Sequence, residues 1–407
     1  MTTTIAGAPP ARPLHRDPMV LGWSVARGIS SIGDEIWYVA LSWSAVQLGS
    51  PALAGLVLAC GSVPHALLLL LGGAFADRFN TRRLMIGSDL ARVVVLLGGL
   101  LTLAVGGSSA GLLITVAVLF GIVDAIYGPA SATLPRQLVP KSELGRLAGI
   151  RQFCDRIGTF GGAPLGGLIV AAWGLGGAML ADAVSFIVIA LVLIGVRPRW
   201  TLERETGGSA LGDVRDGLRY LGQTPRVRDL VIALSGLNVF MTPVIAVGVV
   251  VRAQHEGWGA SGVGLLTGTL GVGAAVGTAM AMKWRPRRSA FTGLVILFTQ
   301  PMAMVLAGFA PLVGVFVAMA AVGITAGLAS PMLSGAFQAT VGERYLGRCG
   351  AVTSTADAAL TPLALSGFGV LAGVAGVGAS CVVFALGYVG LLAYGVTRPH
   401  LRLLTVD

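Results

Sequence analysis

The chain has 407 residues, of which 55% are hydrophobic and only 11% charged, with a mean hydropathy of +0.84. A soluble globular chain carries about 25% charged residues, so this composition excludes an ordinary soluble enzyme and points to a protein whose solvent is lipid. The net charge of +10 raises nucleic acid as a partner, but the way that charge is distributed excludes it.

A polar tail of eighteen residues, without the short apolar core and cleavage site of a signal peptide, precedes the first long apolar run. Windows of the roughly 20 residues needed to cross a bilayer divide the rest into twelve expected spans, at about 19–48, 53–75, 84–105, 110–135, 148–172, 175–196, 226–251, 262–282, 290–308, 311–334, 348–371 and 376–396. The one long polar stretch, Arg197 to Arg228, falls between spans six and seven. The expected organisation is an all-α membrane protein: a six-helix bundle over 1–196, a cytoplasmic linker over 197–225, and a second six-helix bundle over 226–407.

Of the 28 Lys and Arg, all but Arg27, Arg92, Arg151, Arg156 and Arg252 fall in the tails, the linker and alternate loops. Basic residues concentrate on the cytoplasmic side of a membrane protein. Both termini are therefore expected in the cytoplasm, and the basic balance is an orientation signal rather than a nucleic-acid footprint. The 60 glycines follow no G-X-Y period; small residues instead let membrane helices approach closely. Cys60, Cys154, Cys349 and Cys381 have neither metal-ligand nor disulfide spacing.

The halves repeat one another. Leu-Gly-Arg opens span five in "LVPKSELGRLAGI" and span eleven in "ATVGERYLGRCGAV". The loop "GGAFADRFNTRR" (Gly72 to Arg83) superposes on "GTAMAMKWRPRR" (Gly277 to Arg288), which puts Arg82 and Arg83 on Arg287 and Arg288 and Asp77 on Met282. Many secondary transporters are built from such internal repeats.

That first loop resembles the Gly–x–x–x–Asp–Arg–x–x–Arg–Arg signature of the major facilitator superfamily, through Gly73, Asp77, Arg78, Arg82 and Arg83, with Asn80 where glycine is usual. The segments "LPRQLVPKSELGRLAGIRQ", "LADAVSFIVIALVL" and "VRDGLRYLGQTPRVRDL" are similar to the bacterial drug- and siderophore-exporter branch that includes the enterobactin and macrolide efflux proteins. "GGAPLGG" resembles the antiporter motif of span five through Gly162, Pro164, Gly166 and Gly167, with the proline one place late. The resemblance implies two pseudo-symmetric six-helix bundles and a cytoplasmic latch at the signature loop. There Asp77 would meet the start of span eleven near Arg348 to Ala351, since a carboxylate suits the positive end of a helix. Arg78, Arg82 and Arg83 would pair with acids such as Asp89 or Glu143.

An ionisable residue at membrane depth is costly and suggests function. Arg27, Ser31, Asp34 and Tyr38 share a face of span one, bordered by Trp37. Asp34 reads either as a cavity carboxylate or as a structural partner of Arg92 or Arg27. Glu35 points about 100° away. Asp124 shares a face with Tyr127 and Ser131 on span four, and His65 follows Pro64 on span two. The proton-coupling candidates are thus Asp34, Asp124, Glu35 and His65. Arg27, Trp37, Tyr38, Tyr127, Asn238 and Met241 are the candidate substrate-cavity residues. Asp89–Arg92, Arg151–Asp155 and Asp182 read as structural, and Asp357 is unassigned.

Neither nucleophile elbow, phosphate-binding loop nor metal-ligand cluster occurs in the sequence. An enzyme, a cofactor, a metal and an ATP-driven pump are therefore not expected. The reading is a proton-coupled exporter of small amphipathic molecules, a monomer in the inner (plasma) membrane. An importer or facilitator, or a scaffold or receptor that kept the fold, is the alternative.

Overall fold

Within lipid every backbone N–H and C=O must be satisfied inside the protein, and apolar runs of spanning length do this as helices. The structure is a computed structural model; it describes residues 2–4, 14–76, 80–202, 210–284, 286, 288–342 and 345–402. In chain order the helices are α1 (Pro18–Gln47), α2 (Pro51–Ala76), α3 (Thr81–Gly106), α4 (Ala110–Leu138) and α5 (Leu144–Gly195). The linker helix α6 (Ala210–Gln223) comes next. After it run α7 (Pro225–His255), α8 (Gly259–Lys283), α9 (Ser289–Phe309), α10 (Leu312–Thr340), α11 (Leu346–Ala375), α12 (Val377–Thr397) and the short α13 (Pro399–Arg402).

Among the described residues, nine of these helices are long and apolar enough to cross a membrane. One of them, α5, is two spans in one: its 52 residues bend at Gly174, where φ is +63°, a conformation that favours glycine. The polar-faced α1 and the apolar α2 supply the remaining two spans. Local chemistry sets the ends. Asp17, Asn80 and Ser109 cap α1, α3 and α4 by accepting the backbone N–H of Val20, Arg83 and Leu112. A π-helical turn, Val244–Val249, follows Pro243 inside α7.

The packing has the symmetry of a repeat. In the first half α1 lies on the first arm of α5, α2 on α4, and α3 on α5. In the second half α7 lies on α11, α8 on α10, and α9 on α12. The two halves meet along two seams, α2 on α11 and α5 on α8. Moving six spans along the chain turns one seam into the other. At the chain-terminal end, strand β1 (Thr2–Thr4) pairs antiparallel with β2 (Trp200–Leu202), Thr3 opposite Thr201. Beside it the buried Asp17 and Arg199 form an ion pair.

Small residues make the seams possible. A Cβ on Gly264 would lie 2.6 Å from the Ala163 carbonyl oxygen, and one on Gly55 only 2.4 Å from that of Leu365. Along α5 and α8 the close contact runs from Gly167 on Gly264 to Phe160 on Gly271. The same stripes continue toward the chain-terminal end as Ile157 and Phe153 on α5 and Ala275 and Met282 on α8. These four residues are exposed, Phe153 by 66% and Met282 by 74%. This seam is closed away from the termini and parts toward them.

Candidate functional site

The polar face of α1 decides where the site lies. Asp34 and Tyr38 are exposed at mid-span, as are Val25 and Ile29 on the opposite side of the same helix. Valine and isoleucine suit lipid, whereas a carboxylate at membrane depth faces the bundle interior or a wet cavity. The Asp34–Tyr38 face therefore looks inward. Among the described residues nothing hydrogen-bonds or ion-pairs with Asp34.

Around this open carboxylate stands a network in which the two cations Arg92 and Arg27 are both engaged by other acids. Arg92, buried on α3, holds Asp89 at 3.0 Å one turn away and Asp124 on α4. Its guanidinium lies over the rings of Tyr127, at 4.4 Å, and Phe186, at 4.9 Å. A planar cation that bonds two carboxylates and stacks on two rings is a task lysine does not perform. Arg27 ties three helices: its Nε is 3.0 Å from Asp155 on α5, and it donates to Ser131 on α4 at 3.0 Å. Ser31 donates to the same Asp155 at 3.3 Å.

Neighbouring acids have different surroundings. Glu35 turns toward Thr159 and Gly162 of α5. Asp182 is fully buried and accepts from Ser185 at 3.1 Å; a Cβ on Gly33 would lie 2.5 Å from it. Opposite, in the second half, Asn238 is exposed on α7 and Met241 half-buried. Asp357 of α11 lies against Asn238 and Ser235. Behind them Tyr388 donates to Gln300, which donates to Thr325 at 3.2 Å and to the Val322 carbonyl at 3.3 Å.

The glycine motif of span five lies on two packing faces. Gly162 and Gly166 receive α1 at Ile32, Glu35, Ile36 and Val39. Pro164 and Gly167 meet Gly268 and Gly264 of α8. One motif thus shapes both the support of the Asp34 helix and the seam between the halves.

A twelve-span, two-fold bundle with a charged interior face on α1, α3 and α4 agrees with the family model for the Major Facilitator Superfamily, which matches residues 23–365. The chain belongs to that superfamily. This facilitator is 27% identical over 393 residues to the multidrug efflux pump Tap of Mycolicibacterium fortuitum, covering 91% of this chain and 93% of that protein. It is 20% identical to macrolide efflux protein A of Streptococcus pyogenes, covering 78% and 80%. Among solved structures, a bacterial homolog of the human lysosomal transporter Spinster superposes with a TM-score of 0.74 at 15% identity, covering 98% of this chain and all of that one. A D-xylose–proton symporter gives 0.70 at 14% identity, covering 95% and 99%. The facilitator is a multi-pass membrane transporter of small molecules, not an enzyme.

Several sequence expectations need correction. Trp37 does not border the open face: it is 5% exposed and packs on Phe120 with ring centroids 5.5 Å apart, because burying its large ring is worth more than exposing its N–H. Neither Arg92 nor Arg27 takes Asp34, since Asp89, Asp124 and Asp155 lie closer to them. Arg151 lies over Trp23 at 5.3 Å while Arg27 takes Asp155. Among the described residues Arg82 meets no acid; it donates to the carbonyls of Leu193, at 2.8 Å, and Ile194. A cation there complements the negative end of α5. Glu143 accepts from the backbone of Leu14 at 3.4 Å. The unusual Asn80 of the facilitator loop is the cap of α3. Gly73 lies in α2, whereas Asp77, Arg78 and the side chain of His65 lie outside the described residues, as does the expected contact of Asp77 with α11.

Proposed function

We propose that the facilitator exports small amphipathic molecules in exchange for protons, as a monomer in the plasma membrane with both termini cytoplasmic. The observation that carries this reading is Asp34, an open carboxylate with no ion-pair partner among the described residues, in a span whose neighbouring cations Arg27 and Arg92 are already taken. A carboxylate without a fixed partner gains and loses its proton as the space around it dries and wets. The efflux proteins named above support the direction of transport. With the termini in the cytoplasm, the parted end of the α5–α8 seam opens inward, and proton release there would free the site for substrate. Residues 1–196 and 226–407 act as the two rocking units and 197–225 as their linker. Asp124, Glu35 and His65 rank behind Asp34 as proton carriers: Asp124 is tied to Arg92, and Glu35 turns to α5.

The test is proton release on substrate addition to purified protein, alongside extrusion of a fluorescent amphipathic dye from inverted vesicles with and without a proton gradient. Asp34→Asn keeps the shape of the protonated form. It should lower gradient-driven extrusion by more than about tenfold, about 1.4 kcal/mol in barrier, with substrate binding retained. Normal proton release by Asp34→Asn with loss in Asp124→Asn would move the role to α4. Normal release by both would make the protein a facilitator without proton coupling, or one that uses another ion.

A further inference from the structure

Outside the interior site, a cluster of polar side chains lies where α6 packs on the start of α11. Gly217 of α6 sits so close that a Cβ there would be 2.7 Å from the Arg348 carbonyl. This brings Tyr220 onto Tyr345, rings 4.2 Å apart and 8° from parallel. The Arg348 guanidinium lies 5.6 Å from the centre of the Tyr345 ring and 3.4 Å from Asp216. Beside this stack a groove of about 450 Å³ is lined by Asp216, Arg219, Tyr220, Gln223, Tyr345 and Arg348. A second hollow of about 610 Å³ extends it past Arg215 and Arg219. Arg215 and Arg219 are exposed and have no ion-pair partner among the described residues.

The geometry points to this groove as a binding site for the phosphate-bearing headgroup of an anionic phospholipid, with Arg215 and Arg219 as its anchoring cations. Two features select a lipid over a free anion. Arg215, Leu218 and Arg219 share one face of α6, and Leu218 is 56% exposed, so an apolar contact accompanies the two cations as an acyl chain requires. The helix packs beside the starts of α7 and α11, where these spans begin and headgroups would meet them. Because α6 touches α2 of one half and α11 of the other, a lipid bound there would bear on the helices of one seam.

The probe is phosphatidylglycerol, added to delipidated full-length protein and followed by native mass spectrometry against phosphatidylcholine. A basic residue at a membrane surface changes the affinity for anionic lipid by roughly fivefold. Arg215→Gln with Arg219→Gln should therefore cut phosphatidylglycerol retention by about the product of two such factors. Leu218→Ser should cut it less, and the exposed control Arg226→Gln by less than either. Excess inorganic phosphate should displace none of it. Equal retention by the double variant, with an unchanged unfolding temperature, overturns the proposal. So does displacement by inorganic phosphate or by ATP, which would make the groove a site for soluble anions. Failure of transport coupling at Asp34 leaves this measurement unaffected.

Discussion

The two halves share a backbone plan but not an interior chemistry. Behind Asp34 the first half holds its helices together with ions: Arg92 joins α3 to α4, and Arg27 joins α1 to α4 and α5. At corresponding depth the second half uses the neutral chain Tyr388–Gln300–Thr325, which joins α12, α9 and α10. A neutral network keeps its hydrogen bonds whatever the proton gradient does. An ionic one responds to each proton that arrives, because a change at one carboxylate alters the field at all the others. On the proposed proton coupling, this difference would place the proton-sensitive work in the first half; in the second half, among the described residues, Asp357 lies against α7, and the ion cluster of Asp229 with Arg228 and Arg398 sits at the start of that helix.

The largest test of that contrast removes its central cation. Arg92→Gln leaves Asp89 buried without a counter-charge, and breaking a buried pair in this way costs about 3–5 kcal/mol. Thermal unfolding of the detergent-purified protein should show a large drop, with Arg92→Lys only partly restoring it because lysine lacks the forked geometry. If Arg92→Gln unfolds like wild type, the ionic network does not hold the first half together.

The counterpart in the second half is Tyr388→Phe. It removes the hydroxyl donor and leaves the buried Gln300 oxygen short of a partner, at a cost of about 1–3 kcal/mol. The contrast sharpens if unfolding shifts by that smaller amount while the pH dependence of transport stays that of wild type. A changed pH profile would break it.

The smallest effect belongs to the loop between α2 and α3. Arg82→Gln withdraws a cation from the negative end of α5, so it should cost about 0.3–1 kcal/mol. An unfolding shift as large as that of Arg92→Gln would mean that Arg82 has a further partner.

Composition alone determined that the chain lives in lipid, since an 11% share of charged residues is too small to cover a soluble surface. Spans are local: twenty apolar residues become a helix wherever they are, so the expected spans lie within a few residues of the observed helices. The repeat was readable because a superposed Leu-Gly-Arg needs only the sequence. Which cation meets which acid was not. The three- and four-residue spacing joined Arg151 to Asp155, yet the acid went to Arg27, more than a hundred positions away. Burial of Trp37 against Phe120 and capture of Arg82 by the end of α5 were equally out of reach. Spacing along one helix fixes a face and nothing more; the partner is chosen by which other helix lies against that face. Here α5, with Gly158, Gly162 and Gly166 turned to α1, brings Asp155 within reach of Arg27 and leaves Asp34 open.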